Sequence, residues 1–210
     1  MIQMYPKRHL SETQIGQWLH GTRLPHVRLL LLLLVMFCAA ASLPAQNVSF
    51  SSSGLQGESL NNPTSLQFGP DGRLYVSQQN GTIYAYQIQR NGPNDYQVTS
   101  TEEINLIKNI QNHNDDGTLS GTGNRQITGI YLTGTGANPK LFVSSSDPRI
   151  GAGGGGNDIG LDTNSGVVSC LECTGGIDAN GECTQWTKVD YVRGLPRSEE
   201  NHSVNGMQYD

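Results

Sequence analysis

Leu66, Phe68, Leu74, Val76, Ile83 and Ala85 alternate with more polar neighbours, and Gly69-Pro-Asp-Gly72 and Gln79-Asn-Gly81 separate the runs that carry them. A period of two sends successive side chains to opposite faces of a strand, and Asp-Gly and Asn-Gly dipeptides suit the positive φ angles of tight two-residue turns. The spacing predicts three strands of an antiparallel meander from about Thr64 to Gln89. A fourth strand is expected at Tyr96 to Thr101 or at Ile104 to Ile110, and the second of these also suits a short helix.

The same design recurs further along. Thr128-Gly-Ile-Tyr-Leu132, a turn with Asn138-Pro139, and Leu141-Phe-Val-Ser144 repeat the pattern of Ser65-Leu-Gln-Phe68 and Leu74-Tyr-Val-Ser77. Leu66 matches Ile130, and a third start at Asn205-Gly-Met-Gln-Tyr-Asp210 places Met207 at the same point of the pattern. Repetition of a four-stranded meander is the signature of a β-propeller, in which each sheet buries its faces only against neighbouring blades. The expected fold is therefore all-β: an incomplete β-propeller of about two blades and the start of a third, after an N-terminal signal segment. The competing arrangement is a β-sandwich in which the turns are alike by coincidence.

The N-terminal segment is set apart from this fold. Leu29 to Ala41 is a nearly unbroken apolar run, preceded by Arg23, His26 and Arg28 and followed by Ser42 and Pro44. It is shorter than the roughly 18 residues a membrane span needs, and its flanks fit a secretory signal. Cleavage after Ala45 is expected, with Ala41 as the other position, so that 1–45 is a signal segment with a long N-terminal extension and 46–210 is the exported part. Met36 and Phe37 ahead of Cys38 argue against a lipoprotein site, and no stable membrane span is expected after cleavage.

Composition agrees with an exported all-β chain. The 210 residues carry a net charge of −5, and 15% of them are charged, against roughly 25% in an average soluble domain, while glycine reaches 26. The few Lys and Arg residues form no basic stripe, so nucleic acid is not an expected partner. Once Cys38 is removed, Cys170, Cys173 and Cys183 remain. In an oxidising compartment a Cys173–Cys183 disulfide would close a loop whose Asn180-Gly181 suits a hairpin turn. Zinc held by these three with His202 lacks the second paired ligand set of a structural site, and no metal site is assigned. Asp178-Ala-Asn180-Gly-Glu182 resembles half a calcium loop but reads as a turn, because no bidentate acid follows at the required distance. Gly153 to Gly156 lacks the Lys-Ser or Lys-Thr and the helix of a phosphate-binding loop.

Candidate chemistry concentrates in Val192-Arg-Gly-Leu-Pro-Arg-Ser-Glu-Glu-Asn-His-Ser-Val-Asn-Gly206, which enters the third repeat. Arg197, Glu199, Glu200, Asn201 and His202 are expected to converge where such entry loops meet. An imidazole of near-neutral pKa can take a proton from a substrate hydroxyl when another group holds its second nitrogen. His202 is the candidate general base, with Arg197, Asn201 and Asn205 as candidate substrate or cofactor contacts. His113, in Asn-His-Asn-Asp-Asp116, ranks second because it is not placed at a strand entry.

Four stretches together resemble the glucose/sorbosone dehydrogenase family: Asn62-Pro-Thr-Ser-Leu-Gln-Phe-Gly-Pro-Asp-Gly-Arg-Leu-Tyr-Val76, Arg125-Gln-Ile-Thr-Gly-Ile130, Leu141-Phe-Val-Ser-Ser-Ser-Asp-Pro-Arg149 and Gly194-Leu-Pro-Arg-Ser-Glu-Glu-Asn-His202. The resemblance covers about Asn62 to Met207. It implies a six-bladed propeller using pyrroloquinoline quinone (PQQ) and calcium, oxidising a sugar or another hydroxyl-bearing molecule, with His202 matching the family's general base. The family's His-x-Gly-Gly is here His202-Ser-Val-Asn-Gly206, and the family's cationic clamp and calcium ligands come from later blades. The resemblance thus implies a chain that lacks blades of its own propeller and does not turn over substrate by itself. The alternative is an extracellular propeller that binds carbohydrate or protein without catalysis.

Overall fold

The structure is a computed structural model and describes residues 33–34, 51–149, 164–197 and 206–207. The chain divides into two compact units, Met1–Phe50 and Ser51–Asp210. Of the first, only Leu33 and Leu34 are described; they are helical and exposed. Among the described residues, no helix is long and apolar enough to cross a membrane. The expected signal run otherwise lies outside the described residues.

The second unit is all-β and contains two sheets. Sheet one holds β1 (Leu55–Gln56), β2 (Pro63–Phe68), β3 (Leu74–Gln78), β4 (Ile83–Gly92) and β5 (Asp95–Ile104), in the order β1-β5-β4-β3-β2. Sheet two holds β6 (Gln126–Gly134), β7 (Pro139–Ser146), β8 (Gly166–Cys173) and β9 (Trp186–Leu195), in sequence order. Each sheet is an antiparallel meander, and the two-residue β1 adds a parallel edge to β5 in the first. Both predicted turns of sheet one form, with Gly72 N–H donating to Gly69 O at 3.0 Å and Gly81 N–H to Gln78 O at 3.2 Å. The fourth strand is β5, ending at Ile104; Ile107 and Ile110 are buried in the turns beyond it. Val192 to Leu195, read from the sequence as part of an entry loop, belong to β9.

The two meanders repeat down to individual hydrogen bonds. Thr64 Oγ1 and Ser77 Oγ lie 3.0 Å apart in sheet one, and Thr128 Oγ1 and Ser144 Oγ lie 3.1 Å apart in sheet two. Ser77 Oγ donates to Ser65 O at 3.3 Å as Ser144 Oγ donates to Gly129 O at 3.4 Å. The first strand of each meander is irregular at the same place, between Pro63 and Ser65 and between Ile127 and Gly129. These matches fix a register in which Leu66, Phe68, Leu74 and Val76 correspond to Ile130, Leu132, Leu141 and Val143.

That register shows how the sheets pack. Tyr75, Ile83, Ala85 and Ile104 of sheet one share a core with Ile130, Leu132, Leu141 and Val143 of sheet two. Cross-strand partners share a face, so Gln67, Tyr75, Ala85 and Glu102 form one row of sheet one and Tyr131, Phe142, Cys170 and Val189 the corresponding row of sheet two. The first row faces the other sheet, whereas the second faces away from it. The sheets therefore meet through non-equivalent faces, the front of one against the back of the next. Two equivalent faces closed on each other, as in a symmetric sandwich of two alike meanders, would have put Phe142 beside Tyr75.

Polar groups lock this contact at the outer strands. Glu102, on β5, accepts from Arg73 Nη1 at 2.5 Å, from Trp186 Nε1 at 2.5 Å and from Cys183 N–H at 3.1 Å. Arg73 also donates to Asp71 Oδ2 at 2.8 Å and to Tyr75 Oη at 2.7 Å. Burial works against the Arg73 charge, but the carboxylates of Glu102 and Asp71 outweigh it and hold the guanidinium above its ordinary pKa. Burial also raises the Tyr75 phenol, which stays a neutral donor to Asp71 Oδ2 at 2.7 Å.

The Cys173–Cys183 disulfide is present and closes the β8–β9 connection, whose Cys183 N–H is tied to Glu102 of sheet one. Within that loop Asp178 Oδ1 accepts from the backbone N–H of Asn180 at 2.8 Å and of Glu182 at 2.9 Å, so the segment is a self-contained turn. Ser100 Oγ donates to Glu182 Oε1 at 2.8 Å, a second tie to sheet one. Closing a loop of sequence separation 10 stabilises by about 3 kcal/mol in the chain-entropy account. Cys173→Ser with Cys183→Ser should lower the urea-unfolding free energy by about that amount. A loss under about 1 kcal/mol would show that the loop is held by its hydrogen bonds alone.

Candidate functional site

The first strands of the repeats lie side by side. Ser65 Oγ accepts from Ile130 N–H at 3.4 Å, and Gln67 Oε1 accepts from Leu132 N–H at 2.9 Å, so β2 is tied to β6 by side chains that substitute for a ladder. On the far side of β6 comes the third start. A Cβ placed on Gly129 would stand 3.3 Å from Gly206 N and 3.0 Å from Ser144 Oγ, a tight fit that would push Gly206 or the Ser144 side chain back by a few tenths of an ångström. Ser65 and Gly129 occupy equivalent positions of the two meanders, and Gly206, which the sequence pattern aligns with them, lies beside Gly129.

The strand ends from which these segments start form one polar surface. On sheet one it carries Asn61, Asn62, Gln79 and Asn80, which line a cleft of about 220 Å³ with Asn124 and Pro148. Asn61 N–H donates to Gln78 Oε1 at 2.5 Å, and Asn80 Oδ1 accepts from Thr82 N–H at 3.1 Å.

On sheet two the same surface is built around three arginines. Arg125, immediately before β6, is almost wholly buried at 2% exposure. It donates to Asn112 Oδ1 at 2.8 Å, to Ser145 Oγ at 3.3 Å and to Ser165 O, joining the starts of β6 and β8 to the end of β7. Arg149 donates to Asp147 at 2.6 to 3.0 Å, to Asn114 Oδ1 at 2.7 Å and to His113 O at 2.6 Å. Arg197, after β9, donates to Asp147 O at 2.9 Å and to Arg149 O, and its Nη1 lies 3.7 Å from Asp147 Oδ1. Asp147 is itself buried and is the carboxylate between Arg149 and Arg197.

Arg197 lies directly after β9, and its donors hold the β7 exit against the β9 exit. Its placement leads the chain into the segment that carries His202. His202, Asn201 and Asn205, with Glu199 and Glu200, lie outside the described residues. His113 lies in the loop before β6, in a bridge with Leu119, and its carbonyl serves Arg149. The arginine cluster was not singled out from the sequence, although Arg125 and Arg149 both lie in stretches that carry the family resemblance.

Among the described residues no group of three or more His, Cys, Asp or Glu side chains stands close enough to hold a metal ion. Compared with known proteins, the chain matches no family model, no curated protein and no solved structure.

Proposed function

We propose that this chain is the opening part of an exported β-propeller of the sugar- or alcohol-oxidising type. Substrate would be met where the repeat entries converge, and His202 would be the group that takes the hydroxyl proton. The observation that carries the reading is the adjacency of Ser65, Gly129 and Gly206. Successive first strands set side by side are the arrangement a radial repeat requires, and His202 lies in the segment leading into the third. The Cys173–Cys183 disulfide supports export, since such bonds persist in oxidising compartments.

A quinone carrying carboxylates needs cationic donors aimed at it. Arg125, Arg149 and Arg197 direct theirs at backbone carbonyls, Asn112, Asn114 and Asp147, so the described residues do not fit PQQ, nor do they gather a calcium ligand set. The part of the reaction read from this chain is proton removal by His202, while the electron acceptor's site belongs to further blades of the same propeller. An imidazole suits this step because its neutral form is populated near pH 7 and accepts a proton with little driving-force penalty.

The test is dye reduction by the complete gene product with aldoses and other polyols, after addition of PQQ and calcium. Turnover is expected; its absence across that panel overturns the oxidoreductase reading. The second reading, carbohydrate or protein binding without catalysis, is favoured by the engagement of all three arginines in the fold. Saturable saccharide binding by calorimetry with no dye reduction would select it.

A further inference from the structure

We propose that the cleft between the entries of the two sheets holds one neutral, hydroxyl-rich ring, a saccharide unit, through side-chain amides. The cleft holds its ligand and takes no part in proton removal; for the ligand's class it rests on the reading proposed above. Both walls belong to sheets that pack on each other within the described residues, so the shape of the cleft follows from their contact.

Asn61, Asn62, Gln79 and Asn80 form one wall and Asn124 and Pro148 the other, around about 220 Å³. The backbone of each wall is pinned. Gln79 N–H donates to Asn62 O at 3.0 Å, and Asn61 N–H donates to Oε1 of the buried Gln78, which ties the β2 entry to the β3–β4 turn. Across the cleft, Asn112 Nδ2 donates to Asn124 O at 2.6 Å, and Asn112 is itself held by Arg125. The two walls also meet directly. Gly81, at φ +92°, lies so near the second sheet that a Cβ on it would stand 2.7 Å from Arg125 O and 3.1 Å from Lys108 Cα, so both its conformation and its neighbours call for glycine. The spacing between Asn80 and Asn124 is therefore set by backbone packing before a ligand arrives, as in most small-molecule sites.

Against this pinned backbone, the side-chain amides of Asn61, Asn62, Gln79 and Asn124 make no hydrogen bond to a described residue, while Asn80 Oδ1 is spent on Thr82 N–H. Each amide carries two N–H donors and a carbonyl acceptor, and each sugar hydroxyl both donates and accepts, so neighbouring hydroxyls match an amide in pairs. None of the described lining residues is charged, so an ionic ligand would find no countercharge here. Pro148 supplies an apolar surface for the C–H face of a ring. The volume lies below the roughly 300–1,000 Å³ of sites that enclose drug-sized ligands, which limits the occupant to about one ring.

The test is titration of the isotope-labelled chain with D-glucose, D-galactose, D-mannose and D-xylose, followed through the side-chain amide resonances, with sodium lactate as the ionic control. At least one sugar is expected to shift the Asn61, Asn62, Gln79 and Asn124 amide signals along a saturable curve with a Kd on the order of millimolar, and lactate to leave them in place. Asn62→Gly, which tolerates the φ of 49° at this position, and Asn124→Ala should each weaken that binding at least about twofold. Backbone spectra report whether each variant is folded, and where one is not, the wild-type shifts decide. No saturable shift with any of the four sugars overturns the inference, as do shifts that lactate reproduces or that persist unchanged in both folded variants. Dye reduction by the complete gene product reads oxidation separately. Turnover without shifts at these amides removes the cleft and leaves the role of His202, whereas saturable shifts without turnover remove the oxidation and leave the cleft.

Discussion

Glu102→Ala is expected to lower the midpoint of thermal unfolding by about 6–12 °C. The side chain is 9% exposed and supplies both oxygens to buried or partly buried donors: Arg73 from its own sheet, and Cys183 N–H and Trp186 Nε1 from the other. Removing one partner of a buried ion pair costs about 3–5 kcal/mol, because the remaining charge stays buried. For a unit of this size each kcal/mol is worth roughly 2–4 °C. Asp71 remains beside Arg73 and keeps the loss toward the lower end of that range. Glu102→Gln retains an acceptor for Trp186 and should fall between wild type and alanine. Scanning calorimetry of the three proteins checks the order, and an alanine variant within about 3 °C of wild type would contradict the role given to this carboxylate.

His202→Ala in the complete gene product is expected to reduce kcat for dye-linked substrate oxidation by about 10²–10⁴-fold, the range over which a positioned general base contributes. Because the histidine acts on the proton and not on the rest of the substrate, KM should change much less than kcat. Equal turnover in the two proteins would remove His202 from the reaction.

The meander and its turns were legible because alternation and the Asp71-Gly72 and Asn80-Gly81 turns are local signals. The repeat was legible because Leu66 and Ile130, with Ser77 and Ser144, head and close matching runs. The edges of the pattern were harder. Ile104 to Ile110 is apolar enough for a strand or a helix, and its role is decided by burial under the sheets, a tertiary effect. The last strand hid in Trp186–Leu195 because its outer positions, Val189, Tyr191 and Val192, are apolar yet exposed, which blurs the alternation.

The arginine cluster was invisible for a different reason. Arg125, Asp147, Arg149 and Arg197 are far apart in sequence, and only the antiparallel order β6-β7-β8-β9 brings the ends that carry them together. Arg197 stood out from the sequence as a ligand contact because a cation in an entry loop suggests one. Its donors turn out to satisfy carbonyls left without ladder partners at the strand ends, a structural need that the sequence does not display.

Front-to-back packing of two alike meanders is the central feature of the fold. Nuclear Overhauser measurements on the isotope-labelled protein test it most directly. The predicted result is contact between the Ser65 side chain and the Ile130 amide and between the Gln67 side chain and the Leu132 amide, with no cross-peak between the rings of Tyr75 and Phe142. Cross-peaks joining those two rings, with the first pair absent, would mean that like faces are closed on each other and would contradict the repeat arrangement on which the rest is built.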